Sequence, residues 1–169
     1  MSGMTIDNMG LHPVMEQACR QFEWAFPHVQ WLSGTRDRES QAKAMAGHVF
    51  RDRRWIAKTY LQAAHLQTAV DFHPDAQTVE QLSTLLHETM LGMSEDELSK
   101  VSDHFIGMAV DLVPMVFGNG DPTPSGQAAL KWMHDYPYTK KVLTREGGRI
   151  VWHWACQEHP RPSRGTAFA

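Results

Sequence analysis

The spacing of apolar and polar positions predicts helices in the first half of the chain. Residues 11–26 carry apolar side chains at helical spacing, and the segment starts with a proline that suits a first turn. Residues 35–66 are rich in alanine, glutamine, arginine and lysine, which are good helix formers. We therefore expect an amphipathic first helix and a second helical segment, interrupted near Gly47.

Two further helices are predicted before residue 102. Residues 73–91 place an apolar stripe after a Pro-Asp turn, and Gly92 supplies a stop signal. Ser94 and Glu97 have the Ser-x-x-Glu form of a capping box, in which each residue satisfies a backbone amide of the other. A short helix is expected to begin there.

Strands are predicted where apolar, β-branched and aromatic residues cluster between turn formers. These segments are 29–34, 104–117 and 148–156. Because side chains alternate along a strand, Ala109 and Asp111 should point to the same side.

The remaining pattern completes the predicted fold. Residues 118–126 are turn formers and predict an exposed loop, followed by a helix to about His134 and then a polar stretch. We predict an α+β fold in which a small antiparallel sheet packs against helices from the first half of the chain. The 169 residues predict a single domain over 1–159, with a flexible tail over 160–169.

Composition narrows the possible partners. The formal net charge of −3 argues against nucleic-acid binding, which favours a basic surface. No run of eighteen apolar residues exists, so no membrane span is expected, and the first residues lack the pattern of a secretory signal. These features predict synthesis in the cytoplasm, with any export by another route.

The strongest chemical signal is the segment 102–111, in which His104 and Asp111 flank small residues that allow close backbone approach. Imidazole and carboxylate are good zinc ligands, and a catalytic zinc site uses three protein ligands with one open position. His153, within a predicted strand, is the expected third ligand. Taken singly, each histidine is more often a loop or core residue than a ligand.

The segment SDHFIGMAVDL resembles the Ser-x-His, Gly-x-Ala-x-Asp pattern of the D-alanyl-D-alanine carboxypeptidase and L-alanyl-D-glutamate endopeptidase family of zinc enzymes. Many bacteriophage endolysins belong to that family, which shares its fold with the Hedgehog signalling domain. The strand element Trp152-His153-Trp154 resembles the family's third ligand segment. The resemblance spans roughly residues 30–155 and implies a Hedgehog/DD-peptidase-like fold, with a helical insert over about 55–100.

The resemblance also implies substrate-binding residues. Ser33-Gly34-Thr35-Arg36, with Gln41 five residues after the arginine, is similar to the family's Ser-Gly-Tyr-Arg element. Arg36 and Gln41 are therefore expected to bind substrate, since a guanidinium can hold a carboxylate with two hydrogen bonds. Ser102 would orient the substrate or a metal ligand. Alternatively, Arg36 is a surface residue in a charged turn.

The match fails at the general base. The family places a carboxylate three residues before the third ligand, and here that residue is Ile150, which cannot accept a proton. Glu146 is the nearest replacement and our predicted catalytic base, with Glu158 and Asp103 as weaker candidates. A solvated turn residue is the plainer interpretation of Glu146.

Three functional hypotheses follow. The first is a zinc metallopeptidase that hydrolyses peptidoglycan stem peptides, endolysin-like, acting at the cell wall or periplasm, and monomeric unless it is part of a phage particle. The second is a structural or virion-associated homologue that keeps the fold but lacks catalysis, either with or without the metal. The third is a domain that binds wall peptides without cutting them. The pattern leaves open whether the bond cleaved would be D-Ala-D-Ala or L-Ala-D-Glu.

Overall fold

The computed structural model describes residues 4–60, 62–145 and 149–162. Within these residues the chain is α+β, with seven α-helices and four strands in one antiparallel sheet. The helices are α1 (Pro13–Ala25), α2 (Arg38–Arg51), α3 (Trp55–Thr59), α4 (Ala64–Phe72), α5 (Val79–Leu91), α6 (Glu95–Val101) and α7 (Pro124–Asp135). The strands are β1 (Trp31–Ser33), β2 (Ala109–Leu112), β3 (Thr139–Leu143) and β4 (Trp152–Cys156). The predicted α+β class with a small antiparallel sheet is confirmed.

The chain divides into two compact units. The first unit consists of Met1–Thr35 and Gly107–Ala169, and the second is Arg36–Ile106. Helices α3 to α6 fall in the range predicted as a helical insert. The single domain over 1–159, the insert and the tail from residue 160 stay predictions. Residues 163–169 of that tail lie outside the described residues.

In the first unit the sheet has the strand order β1-β2-β4-β3. In the β2–β4 ladder, Val110 lies opposite Trp154 and Leu112 opposite Trp152. These four side chains face one apolar core with residues of α1 and α7. Trp154 is fully buried, and its indole Nε1 donates to the Thr139 hydroxyl at 2.9 Å. One face of the sheet is therefore committed to packing.

Three predictions for this unit need correction. The strand expected over 104–117 covers only Ala109–Leu112, because a 3₁₀ turn at Asp103–Ile106 leads to Gly107, whose φ of 69° breaks an extended backbone. Helix α7 starts inside the predicted loop, since Thr123 caps the Gly126 amide at 3.0 Å. The polar stretch after α7 contains the strand Thr139–Leu143, which the sequence pattern missed.

In the second unit, α2 packs mainly against α5. Gly47 lies inside α2 and does not interrupt it; the helix ends at Arg51, where Asp52 adopts an extended backbone. The predicted capping box is confirmed, with Ser94 and Glu97 each bonded to the other's backbone amide. The core of this unit consists mostly of alanine, methionine and aliphatic residues, including Met45, Val49, Leu66, Leu82, Leu86 and Leu98.

Across the described residues, no helix combines the length and the hydropathy needed to cross a membrane.

Candidate metal centre

The sheet face opposite the tryptophans carries the buried ionisable side chains Asp111 and His153. Asp111 of β2 and His153 of β4 are direct cross-strand partners. The His153 Nδ1 atom lies 3.0 Å from the Asp111 Oδ1 atom. Both residues are buried, with 4% and 6% of their surface exposed. Strand alternation explains the arrangement, because residues 152 and 154 point into the core while residue 153 points the other way.

The second oxygen of the Asp111 carboxylate is bound by the neighbouring strand. The Ser33 hydroxyl of β1 donates a hydrogen bond to Asp111 Oδ2 at 2.7 Å. Ser33 and Asp111 are partners in the β1–β2 ladder. The sequence motif that contains Ser33 assigns no role to this residue. Its place in the first predicted strand, as a short polar residue, was the one available signal.

His104 lies in the 3₁₀ turn Asp103–Ile106 of the second unit and is 2% exposed. The Ser102 hydroxyl accepts a hydrogen bond from the His104 backbone amide at 3.3 Å. The His104 carbonyl accepts one from the Arg36 amide at 3.2 Å. Ser102 therefore contributes to the turn that carries His104. Its role in orienting the substrate or a metal ligand stays a prediction.

His104, Asp111 and His153 form a buried group that could hold a metal ion. One ligand atom of each residue lies within 4.8 Å of the others. Around a tetrahedral ion with 2 Å bonds, ligand atoms lie about 3 to 3.5 Å apart, which is within this limit. The chemistry of the set also fits, because a buried carboxylate and imidazoles are costly unless they are hydrogen-bonded or coordinated.

Arg36 and Gln41, two of the three predicted substrate-binding residues, are neighbours in the second unit. Arg36 is half-buried and its Nη1 donates to the Gln41 side-chain oxygen at 3.4 Å. Gln41 lies in α2 and is almost fully buried, with 1% exposure. Their role in binding a substrate stays a prediction.

The candidates for a general base, and the residue in the family's base position, lie in different parts of the chain. Glu146, the predicted base, lies outside the described residues. Ile150, in the family's base position, is 36% exposed, and its Cδ1 lies close to Gly120 of the loop that follows β2. Glu158 lies beyond the end of β4, where its carboxylate is 3.9 Å from His12 Nε2. Asp103 opens the 3₁₀ turn of His104.

The tryptophans flanking His153 do not wall the site. Trp152 and Trp154 are 1% and 0% exposed and belong to the core on the other side of the sheet.

The cysteines offer no competing nucleophile. Cys19 and Cys156 are free and buried. Burial, with a smaller contribution from Cys156, raises the pKa of the Cys19 thiol well above its ordinary value, so the thiol stays protonated near neutral pH.

Comparison of the chain with protein-family models, with curated proteins and with solved structures gives no match. The family resemblance drawn from the sequence motifs stays a prediction.

Proposed function

We propose that this protein is a zinc-dependent peptidase that hydrolyses peptidoglycan stem peptides. The observation that carries the proposal is the buried group of His104, Asp111 and His153, whose ligand atoms lie within 4.8 Å of one another. Two imidazoles and one carboxylate match the three-ligand sets of catalytic zinc sites. The motif around these residues, in the order His, Asp, His, resembles that of the zinc peptidases of wall metabolism. This resemblance suggests peptidoglycan stem peptides as the substrate class. The same resemblance supports a Hedgehog/DD-peptidase-like fold for the α+β chain.

Each residue has a proposed task. When bound, zinc supplies a Lewis acid that polarises the peptide carbonyl and acidifies a water ligand. Glu146 takes the proton of the attacking water and returns it to the leaving amine. Arg36 holds a carboxylate or carbonyl of the stem peptide, with Gln41 orienting the guanidinium through the hydrogen bond at 3.4 Å.

The place of action follows from the substrate class. The proposed enzyme acts at the cell wall or in the periplasm, or is carried by a virion, as endolysin-like proteins are. We propose a monomer unless the protein is part of a phage particle.

A second candidate function is a metal-bearing structural or wall-binding homologue without catalysis. The observation that favours it is Ile150, a hydrocarbon in the position where the family has its base, packed beside Gly120. If this second function is correct, the metal would stabilise the fold, and Arg36 would bind wall peptides without taking part in cleavage.

Zinc analysis and sacculus digestion separate the two functions. The purified protein is first assayed for bound zinc and then incubated with purified sacculi, and the released peptides are identified by mass spectrometry. We expect one zinc per chain and release of cleaved stem peptides, whose ends identify the bond that is cut. Bound zinc without cleavage would select the second candidate.

The base is tested by a matched pair of variants. Glu146→Gln should lower the rate on the order of 10² to 10⁴-fold with zinc content unchanged, because a positioned general base contributes that much. Glu158→Gln makes the same chemical change at an exposed site beside His12. It should keep the wild-type rate. A wild-type rate in Glu146→Gln would remove Glu146 from the mechanism.

A further inference from the structure

Ser33 links the edge strand β1 to the carboxylate of the candidate metal centre. Its hydroxyl donates to Asp111 Oδ2 at 2.7 Å, while Asp111 Oδ1 lies 3.0 Å from His153 Nδ1. The two oxygens of one carboxylate therefore have different neighbours. Oδ2 is directed to the strand at the edge of the sheet, and Oδ1 is directed to the other proposed ligand of this unit.

The backbone that carries Ser33 is fixed by the N-terminal segment of the same unit. A Cβ at Gly34 would lie 2.4 Å from the Met9 Cβ and 2.7 Å from the Met9 carbonyl oxygen, so the two chains are in direct contact. The Thr35 amide donates to that carbonyl at 2.9 Å. The β1–β2 register is irregular between Trp31 and Ser33. In this register Ser33 lies opposite Asp111, next to the residues that contact the N-terminal segment.

We propose that Ser33 is a positioning residue for the metal, an inference that rests on the metal centre of the proposed function. By holding Oδ2, the Ser33 hydroxyl leaves Oδ1 as the single ligand oxygen of Asp111 and keeps it beside His153 Nδ1. A carboxylate without this hydrogen bond is free to rotate or to offer both oxygens. Groups that orient a metal ligand typically contribute 10- to 100-fold to metal affinity.

The first test measures metal affinity by competition with a chromophoric chelator, using zinc alone and no peptide. Ser33→Ala should bind zinc 10- to 100-fold more weakly than the wild type. Ser33→Thr keeps a hydroxyl on a residue that suits strands and should restore affinity. Ser125→Ala removes an exposed serine hydroxyl elsewhere in the first unit and should have no effect.

The isosteric pair Ser33→Thr and Ser33→Val guards against a variant that fails to fold, because the two differ by a hydroxyl and a methyl group. The Thr variant should bind zinc as the wild type does, and the Val variant more weakly. In cobalt(II)-loaded protein the visible absorption band should change for Val and not for Thr, since it reports the number and geometry of ligands.

The outcomes distinguish this inference from the proposed function. Wild-type zinc affinity in Ser33→Ala or Ser33→Val, with only a loss of apo-protein stability, would overturn the inference and leave the metal centre intact. Weaker zinc binding in these variants, without cleavage of sacculi by the wild type, would support the inference and overturn the peptidase. A wild-type protein that binds no zinc would overturn both.

Discussion

Buried polar side chains around Gln67 in the second unit and around Asp111 in the first are bonded in different ways. In the second unit, Gln67 is 6% exposed, and its amide oxygen accepts from the Ala57 amide at 3.0 Å. Its nitrogen donates to the Arg53 carbonyl at 3.0 Å and to Asp71 at 2.8 Å. In the first unit, the buried Asp111 carboxylate and His153 imidazole lie opposite each other on neighbouring strands.

The difference separates a structural role from a chemical one. A neutral amide bonded mainly to backbone groups connects α3, α4 and the turn between α2 and α3, and it has no reactive state near neutral pH. A carboxylate and an imidazole are metal ligands and proton carriers, and burying them is costly without a compensating partner. Burial of polar groups alone therefore does not mark a site; the kind of group does.

The largest effect is expected from His153→Ala, which removes one of the three proposed ligands. The variant should retain no stoichiometric zinc after dialysis, as measured by inductively coupled plasma mass spectrometry. Gln67→Ala should keep the wild-type zinc content in its folded fraction, since it lies in the structural network of the second unit. Full zinc occupancy in His153→Ala would show that His153 is not a metal ligand, and it would remove the functional contrast with Gln67.

Gln67→Ala should show the next largest effect, on stability. The Ala57 amide and the Arg53 carbonyl lose their partner, and each buried unsatisfied group costs about 1–3 kcal/mol. We expect a loss of roughly 2–4 kcal/mol in the free energy of unfolding, measured by urea denaturation. Gln127→Ala, at an exposed position of α7, should change stability by less than about 0.5 kcal/mol. A similar value for both would show that the Gln67 network contributes little.

Gly34 in the first unit and Gly47 in the second differ in the space that is available for an added Cβ atom. Gly34→Ala in the first unit should destabilise by roughly 1–3 kcal/mol, because its Cβ would lie 2.7 Å from the Met9 carbonyl oxygen. Gly47→Ala in α2 should stabilise by up to about 1 kcal/mol, since nothing lies within 4 Å of its Cβ and alanine favours a helix. Thermal and urea unfolding measure both, and a stabilising Gly34→Ala would contradict the close contact with Met9.

The smallest effect concerns the start of α2. Asp37 caps this helix by accepting from the Ser40 amide at 2.7 Å, and this hydrogen bond lowers the pKa of the Asp37 carboxyl. Asp37→Ala should cost about 1 kcal/mol at neutral pH. Because the folded pKa is depressed, this contribution is present above the ordinary pKa of aspartate and is lost as pH falls through the folded value.

Urea unfolding as a function of pH measures this cap. The difference in stability between the wild type and Asp37→Ala should be constant near neutrality and should narrow at acid pH. Asp37→Ser keeps a capping hydroxyl and should recover most of the stability without the acid dependence. If the difference in the free energy of unfolding did not change with pH, the ionised Asp37 carboxylate would not be the form that caps α2.

Much of the local structure could be predicted from the sequence, because its causes lie within a few residues. Pro13 at the start of α1 and the reciprocal bonds of Ser94 and Glu97 are contacts between near neighbours in the chain. Alternation along a strand placed Ala109 and Asp111 on the same side. Residue type, together with the resemblance to the family motif, also predicted the three proposed ligands.

Only the tertiary structure decided what these residues face. Strand β3 is polar, with Lys140 and Lys141 exposed, and it exists because β4 offers an edge for pairing. The hydrogen bond from Ser33 depends on an irregular register between strands that are distant in sequence. Register and close packing arise from contacts between remote segments, so neither the neighbour of each carboxylate oxygen nor the burial of each tryptophan is encoded locally.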